Sequence, residues 1–186
     1  MAIPKKIYFR IRSLILPIED ILRFIPNKSH ILDLGCGKGI LTNYIKNFEY
    51  YLGVDLTVQT ALKDTRVNFE KSNCLFFIEQ DLSKFDTFLV IDLLHHIPKN
   101  VQESFLNNLI SKMKRGDTLI IKDICPKNIF TKFWNAFHDL LISRQLIRYF
   151  NFYKFEKNLG SDVKIIKKYF VRIFFYDHYF LILHKI

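Results

Sequence analysis

Five short apolar runs, separated by segments of helical period, limit what this chain can fold into. They are Ile31–Leu34, Tyr51–Asp55, Leu75–Ile78, Phe88–Ile91 and Thr118–Ile121. Each is strand-length and mostly unbroken by polar positions, which is the pattern of a strand covered on both faces. Between them, Leu41 to Phe48 puts Leu41, Tyr44, Ile45 and Phe48 on one helical face, and Val58 to Arg66 reads as a weaker helix. Gln102 to Met113 likewise presents Phe105, Leu106, Leu109 and Ile110. Upstream, Pro17 opens a short helix with Ile18, Ile21, Leu22 and Ile25 on one side, acids in its first turn, and Pro26 as its stop. Strands alternating with helices predict an α/β fold: a doubly wound, mostly parallel sheet with right-handed crossovers.

Beyond Ile121 the pattern changes. Phe130, Phe133, Trp134, Phe137, Leu140 and Leu141 trace an apolar helical face. Val171–Phe175 and Tyr179–Leu183 flank Tyr176-Asp177-His178 and predict a C-terminal antiparallel hairpin at the sheet edge. The basic stretch Arg144–Lys157 carries no assignable element. The organisation is therefore an N-terminal amphipathic, basic helical segment over 1–28 and a single domain over 29–186. Residues from about 126 to 157 form an aromatic, lid-like segment.

Composition narrows the setting. With 186 residues, 49% apolar and 25% charged, the chain is long enough for a real core and too apolar for disorder. No apolar run approaches the roughly 20 residues of a membrane span, and the start lacks the pattern of a secretory signal. Three scattered cysteines, Cys36, Cys74 and Cys125, are too few for a disulfide framework and suggest no metal site. A cytoplasmic protein with reduced thiols is expected. The net charge of +10 is divided as +4 over residues 1–28, −1 over 29–125 and +7 over 126–186. Of the 29 aromatics, 16 follow residue 125. Basic, aromatic ends suit an anionic partner, although an AT-rich genome enriches the same residues without any binding role.

Ligands of such sheets sit at the carboxyl ends of the strands. After the first run comes Asp33-Leu34-Gly35-Cys36-Gly37-Lys38-Gly39, whose alternate glycines let backbone approach a ligand closely. It is not the dinucleotide fingerprint, because Ile40 stands where the third glycine of that motif would fall, and no phosphate-loop lysine follows. The acid at Asp33 suits an ammonium or sulfonium rather than a pyrophosphate. Asp55 ends the second run, where a carboxylate accepts the hydroxyls of a ribose. Glu79-Gln80-Asp81-Leu82 puts a further acid after the third run, within reach of an adenine amino group. The fourth run is followed by Asp92-Leu93-Leu94-His95-His96-Ile97-Pro98.

This set resembles the class I S-adenosylmethionine-dependent methyltransferases, well over residues 30–124 and loosely elsewhere. Asp33 to Gly39 matches the D/E-x-G-x-G-x-G loop, Asp55 the ribose acid and Asp81 the adenine acid. Asp92 to Pro98 is similar to the LHH-P segment of the subgroup acting on quinones, lipids and other small molecules. The resemblance implies a Rossmann-like methyltransferase fold, S-adenosylmethionine as cofactor and S-adenosylhomocysteine as product. The residues it assigns to the cofactor are Asp33, Gly35, Cys36, Gly37, Gly39, Asp55, Leu56, Asp81, Leu82 and Asp92.

Methyl transfer from a sulfonium needs alignment first, and a general base only where the acceptor is a poor nucleophile. Candidates for that base or its partners are His95, at the rim of the site, Asp123, ending the fifth run, and His138, on the apolar helix beyond it. Cys36 reads as a small spacer rather than a nucleophile. A small-molecule or lipid-like acceptor is the leading expectation, with peripheral contact to an anionic membrane surface. An RNA methyltransferase and a non-catalytic cofactor-binding scaffold are the alternatives. The segment after the fourth run is not the N/D-P-P-Y/F of nucleobase-amine enzymes, which makes nucleic acid the weaker partner.

Overall fold

The computed structural model describes residues 15–58, 64–127, 131 and 147–186. The described residues build a seven-stranded sheet with the order β3-β2-β1-β4-β5-β7-β6. Its strands are β1 (His30–Leu34), β2 (Tyr50–Asp55), β3 (Val67–Lys71), β4 (Thr87–Ile91), β5 (Thr118–Ile124), β6 (Val163–Ile173) and β7 (Tyr176–Lys185). The first five are parallel, and β7 runs antiparallel to both β5 and β6. The chain leaves β1 in one direction to make β2 and β3, then returns to make β4 on the other side. The ends of β1 and β4 therefore border the switch point, where such sheets open a crevice.

Four helices, α1 (Ile18–Leu22), α2 (Cys74–Phe77), α3 (Gln102–Lys112) and α4 (Phe152–Lys157), and 3-10 turns at Ile40–Asn43 and Leu94–His96 complete the described elements. Side chains alternate across the sheet, so each face has its own core. On one face Leu32, Phe88, Leu119 and Leu181 meet α2, α3 and α4. On the other, Ile31, Leu89, Ile120 and Phe180 meet α1 and the segment from Ile40 to Phe48. β4 and β5 are buried at every position, as their continuous apolar runs require.

Several elements differ from the sequence reading. The third strand is Val67–Lys71, half-exposed beside β2 at the sheet edge, while Leu75–Ile78 falls in the short α2 and the turn after it. Asn73 explains the switch: its side chain accepts the N–H of Leu75 and caps a helix exactly where a strand was expected to start. The helix expected over Leu41–Phe48 is only a 3-10 turn, begun by Gly39 in the left-handed region. Residues 1–14 of the N-terminal segment, residues 59–63 of the weaker helix, and residues 128–130 and 132–146 of the aromatic segment expected over about 126–157 lie outside the described residues. The hairpin is longer than expected and turns at Phe174-Phe175, so Tyr176, Asp177 and His178 open β7 instead of forming the turn. β6 is the outer strand on that side and carries Lys164, Lys167, Lys168 and Arg172 along its exposed positions.

The hairpin is held to the second core by Phe180, which is fully buried and stacked on Tyr169 with ring centroids 4.9 Å apart. Phe180→Ala is expected to lower unfolding free energy by about 3–5 kcal/mol, read as an earlier midpoint in urea denaturation.

Candidate functional site

The turn after β1 is closed by backbone bonds onto β2. The N–H groups of Gly35 and Cys36 both donate to the Val54 carbonyl, at 2.8 and 3.2 Å. The Gly37 N–H donates to Asp55 Oδ2 at 3.0 Å. Gly35, Gly37 and Gly39 all have positive φ, the region closed to most side chains. A Cβ on Gly35 would sit 2.9 Å from Leu93 Cδ1, whereas one on Gly37 would meet nothing within 4 Å. That open space is a cradle of bare backbone. Asp55 also accepts the N–H and hydroxyl of Thr57 through Oδ1, each at 2.8 Å. The same carboxylate therefore ties the glycine turn to the end of β2.

A cavity of about 140 Å³ lies over this turn, lined by Asp33, Gly35, Gly37, Asp55, Asp92 and His96 among others. Asp33 forms its floor and is 2% exposed. Its Oδ2 accepts the Tyr51 hydroxyl at 2.5 Å, and its Oδ1 is buried with no hydrogen-bond partner among the described residues. Burial pushes the Asp33 carboxyl up to about 7, a rise that the Tyr51 hydrogen bond opposes and nearby Asp55 reinforces. Burial and the neighbouring carboxylates keep the Cys36 thiol protonated, and burial pushes Cys74 up to about 12, so neither is a nucleophile here.

Next to this floor, β5 sends consecutive side chains to opposite faces. Lys122 points to the cleft side, where its buried ammonium donates to Asp92 Oδ1 at 2.7 Å. Asp92 sits in the left-handed region at φ 52 and is pinned by its own N–H to the Lys122 carbonyl. Asp123 points to the α3 side, where Oδ1 meets His95 Nδ1 at 2.5 Å and Oδ2 accepts the His95 N–H at 3.2 Å. With Asp123 ionised, Nδ1 carries the proton and Nε2 is the basic nitrogen. Buried Gln102 fixes this turn by donating to the carbonyls of Leu94, Ile97 and Arg148. Asp92, His95 and Asp123 bring ligand-type atoms within 4.8 Å of one another, but those atoms already bond to each other or to Lys122.

His96 lines the cleft, and its ring lies 4.0 Å, centroid to centroid, from that of His95. On the far side of the Asp123 pair, β7 places Tyr179 opposite Asp123. Tyr179, Cys125, Tyr149, Phe152 and Phe170 are among the walls of a second cavity of about 560 Å³, with Lys99 and Lys168 also in its lining. A larger cleft of about 970 Å³ beside α1 contains no buried titratable group in its lining.

The structure thus gathers Asp33, Gly35, Cys36, Gly37, Asp55 and Asp92 around one cleft, with Gly39 closing the turn. It pairs His95 with Asp123. Asp81 does not join them: it is exposed, outside the cavity lining, and held low by the N–H and hydroxyl of Ser83. It was expected at the end of the third strand, and that end is at Lys71, followed by Ser72 and Asn73. Leu82 is buried in the α2–α3 core, Leu56 is exposed at the end of β2, and His138 lies outside the described residues. Tyr51 and Gln102 were not singled out in the sequence, and Lys122 was expected to face the same side as Asp123 at the end of the fifth strand, whereas strand alternation sends the two to opposite faces. Only strand register exposes Tyr51: Asp33 pairs with Gly53, and Tyr51 lies two residues earlier on the same face.

An acid whose ionisation is disfavoured by burial binds its proton more tightly folded than unfolded. From the usual aspartate range up to about pH 7, folding stability therefore falls as pH rises, by up to ~1.4 kcal/mol per unit. Asp33→Asn removes this loss. Its melting temperature should exceed that of the parent at pH 8 by more than at pH 5, measured by circular dichroism.

A family model described as "Methyltransferase domain" matches residues 7–157. No curated protein matches the sequence. Among solved structures, magnesium protoporphyrin IX methyltransferase from Synechocystis PCC 6803, with bound S-adenosylhomocysteine, matches at 16% identity, TM-score 0.68, over 100% of this chain and 90% of that one. The 1,6-didemethyltoxoflavin-N1-methyltransferase of Burkholderia thailandensis matches at 16% identity, TM-score 0.69, over 96% and 80%. The N-methyltransferase NodS from Bradyrhizobium japonicum WM9 matches at 11% identity, TM-score 0.64, over 96% and 97%. At such identities the likeness is one of fold.

Proposed function

Since this chain belongs to the methyltransferase-domain family, we propose that it transfers a methyl group from S-adenosylmethionine to a small-molecule or lipid-type acceptor through a protic nucleophile. The observation that carries the reading is the buried His95–Asp123 pair, beside His96 of the glycine-turn cleft and in register with Tyr179 of the aromatic cavity. Two features fit the cofactor to the cleft. The bare backbone at Gly37 leaves room for close approach, and Asp33 Oδ1, without a partner among the described residues, calls for a donor. Asp33 would face the cofactor's cationic end and Asp55 its ribose. When bound, the cofactor supplies the methyl group together with a leaving group that departs neutral.

The remaining work falls to the chain. Asp123 holds the imidazole in one tautomer and stabilises it when charged, and His95 takes the acceptor's proton at Nε2. Lys122 keeps the Asp92 carboxylate paired and off the cleft floor. The aromatic cavity takes the acceptor's apolar body, and its volume suits a compact small molecule. Two fold neighbours are named for magnesium protoporphyrin IX and 1,6-didemethyltoxoflavin, organic molecules rather than macromolecules.

The rim supports the lipid-type part of the proposal. Of the cavity's aromatic lining, Tyr153 is 79% exposed and Phe170 43% exposed, and Lys127 stands over the Phe170 ring at 3.9 Å. Such a face suits an acceptor with an anionic head, or one presented at an anionic membrane surface. No described helix is long and apolar enough to cross a membrane. A cytoplasmic setting belongs to the same proposal, supported by three cysteines outside any disulfide.

Calorimetry should show S-adenosylhomocysteine binding, weakened at least about tenfold by Asp55→Ala through loss of a charged hydrogen-bond acceptor. His95→Gln should leave that binding unchanged and cut turnover by about 10²–10⁴, measured as tritiated methyl transfer to fractionated cell extract. Label confined to the RNA fraction would overturn the acceptor class, and label in no fraction would overturn catalysis.

A further inference from the structure

The pairing of β1 with β2 places a phenol under the cofactor cleft. Gly53 stands opposite Asp33 and has no side chain, so the Tyr51 hydroxyl, two residues earlier on the same face, reaches across to Asp33 Oδ2 at 2.5 Å. Tyr51 is fully buried and held by the rings of Phe69 and Phe48, with centroids 5.9 and 6.5 Å away, both edge-on. It has no route to water and no second role in the core that needs a hydroxyl. The other oxygen, Oδ1, is buried, lacks a hydrogen-bond partner among the described residues, and belongs to a residue lining the cleft.

We propose that Tyr51 is a positioning residue for ligand capture: its hydroxyl occupies one oxygen of Asp33 and leaves the other as the docking point for the α-ammonium of the nucleoside ligand, whose arrival expels a proton from the site. This rests on the cofactor reading above, and adds the residue that sets the ligand's charge requirement. Asp33 shares a buried site with a phenol that cannot ionise, because burial and Asp33 itself push Tyr51 well above its ordinary range. Burial, reinforced by Asp55 and opposed by the Tyr51 hydrogen bond, pushes the carboxyl up to about 7, so below that pH it keeps its proton. An ammonium supplies the missing opposite charge. Asp33 then ionises, the proton leaves to the buffer, and the ammonium N–H donates to Oδ1. A neutral ligand gains nothing from this acid.

Other groups also bear on Asp33: Asp55 at the end of β2, Cys36 and Lys38 in the turn, Cys74 at the start of α2, and Asp92 and His96 after β4. Both thiols are neutral across the working range, and the charged groups are the same in the parent and in a Tyr51 variant. Comparing the two isolates the phenol.

The test uses the intact chain and two probes that share a nucleoside: S-adenosylhomocysteine, which carries an α-ammonium, and 5′-methylthioadenosine, which does not. For the parent, affinity for the first should rise with pH by up to about tenfold per unit below the Asp33 midpoint and then level off. Below that midpoint its binding enthalpy should depend on buffer, showing release of about one proton per ligand. The second probe should bind with little pH dependence. Tyr51→Phe keeps the ring and removes the hydroxyl. It should move the midpoint to higher pH and weaken S-adenosylhomocysteine binding about tenfold at pH 6, the loss of one charged hydrogen bond, with the gap narrowing towards pH 8.5. Asp33→Asn should flatten the profile with Tyr51 in place. An unchanged profile in a folded Tyr51→Phe variant, or the same profile for both probes, overturns the proposal while leaving the cofactor reading intact. Failure of the parent to bind either nucleoside at any pH overturns both.

Discussion

The site depends on one backbone closure, the docking of the glycine turn onto the end of β2. Two N–H groups share the Val54 carbonyl and a third reaches the Asp55 carboxylate. These bonds satisfy donors that the turn would otherwise bury unpaired, at a cost of several kcal/mol. They also fix the ends of β1 and β2 side by side, so Asp33 and Asp55 face one cleft instead of lying on separate elements. Left-handed backbone at Gly35, Gly37 and Gly39 is the geometric condition for that closure. A side chain on Gly35 would collide with Leu93, which belongs to the segment carrying the histidines. Loop, strand ends and histidine turn are therefore one mechanical unit.

Around it the sheet separates two kinds of electrostatics. The cleft side holds three carboxylates, Asp33, Asp55 and Asp92, and among the described residues a buried cation, Lys122, pairs with Asp92. This side is built to attract positive charge. The other side pairs a buried acid, Asp123, with an imidazole and opens on aromatic walls. It is built to move a proton next to an apolar body. A buried ion pair adds little net stability, so both pairs are better understood as devices that fix orientation.

Much of this was legible in the sequence, for reasons that can be named. Strands buried on both faces leave unbroken apolar runs, which marked β1, β2, β4 and β5 closely. The glycine spacing marked the turn, and the acids ending the first two runs marked the cleft. Where reading failed, two patterns competed. Leu75–Ile78 is as apolar as a strand, but Asn73 before it caps a helix. The true third strand, at a half-covered edge, is too polar to stand out. Asp81 followed that error off the site. Tyr176-Asp177-His178 has turn-like polarity, yet the bend falls at two phenylalanines, with Phe174 in the left-handed region at φ 53. Tyr51 was invisible for a different reason. Its meaning lies in its position relative to Asp33 and Gly53 on a neighbouring strand, and no single-strand pattern encodes that relation.

The alternation of Lys122 and Asp123 along β5 has a consequence for how the sheet assembles. A slip of β5 by one residue against its neighbours would exchange the two side chains between compartments. An ammonium would then face the imidazole, and a fourth carboxylate would enter a cleft already rich in them. Both errors arise from the same displacement and neither can be relieved by the other. Misregistered assembly is thereby penalised twice, and the charged tip of a buried strand acts as a proofreading key for the hydrophobic pairing that precedes it.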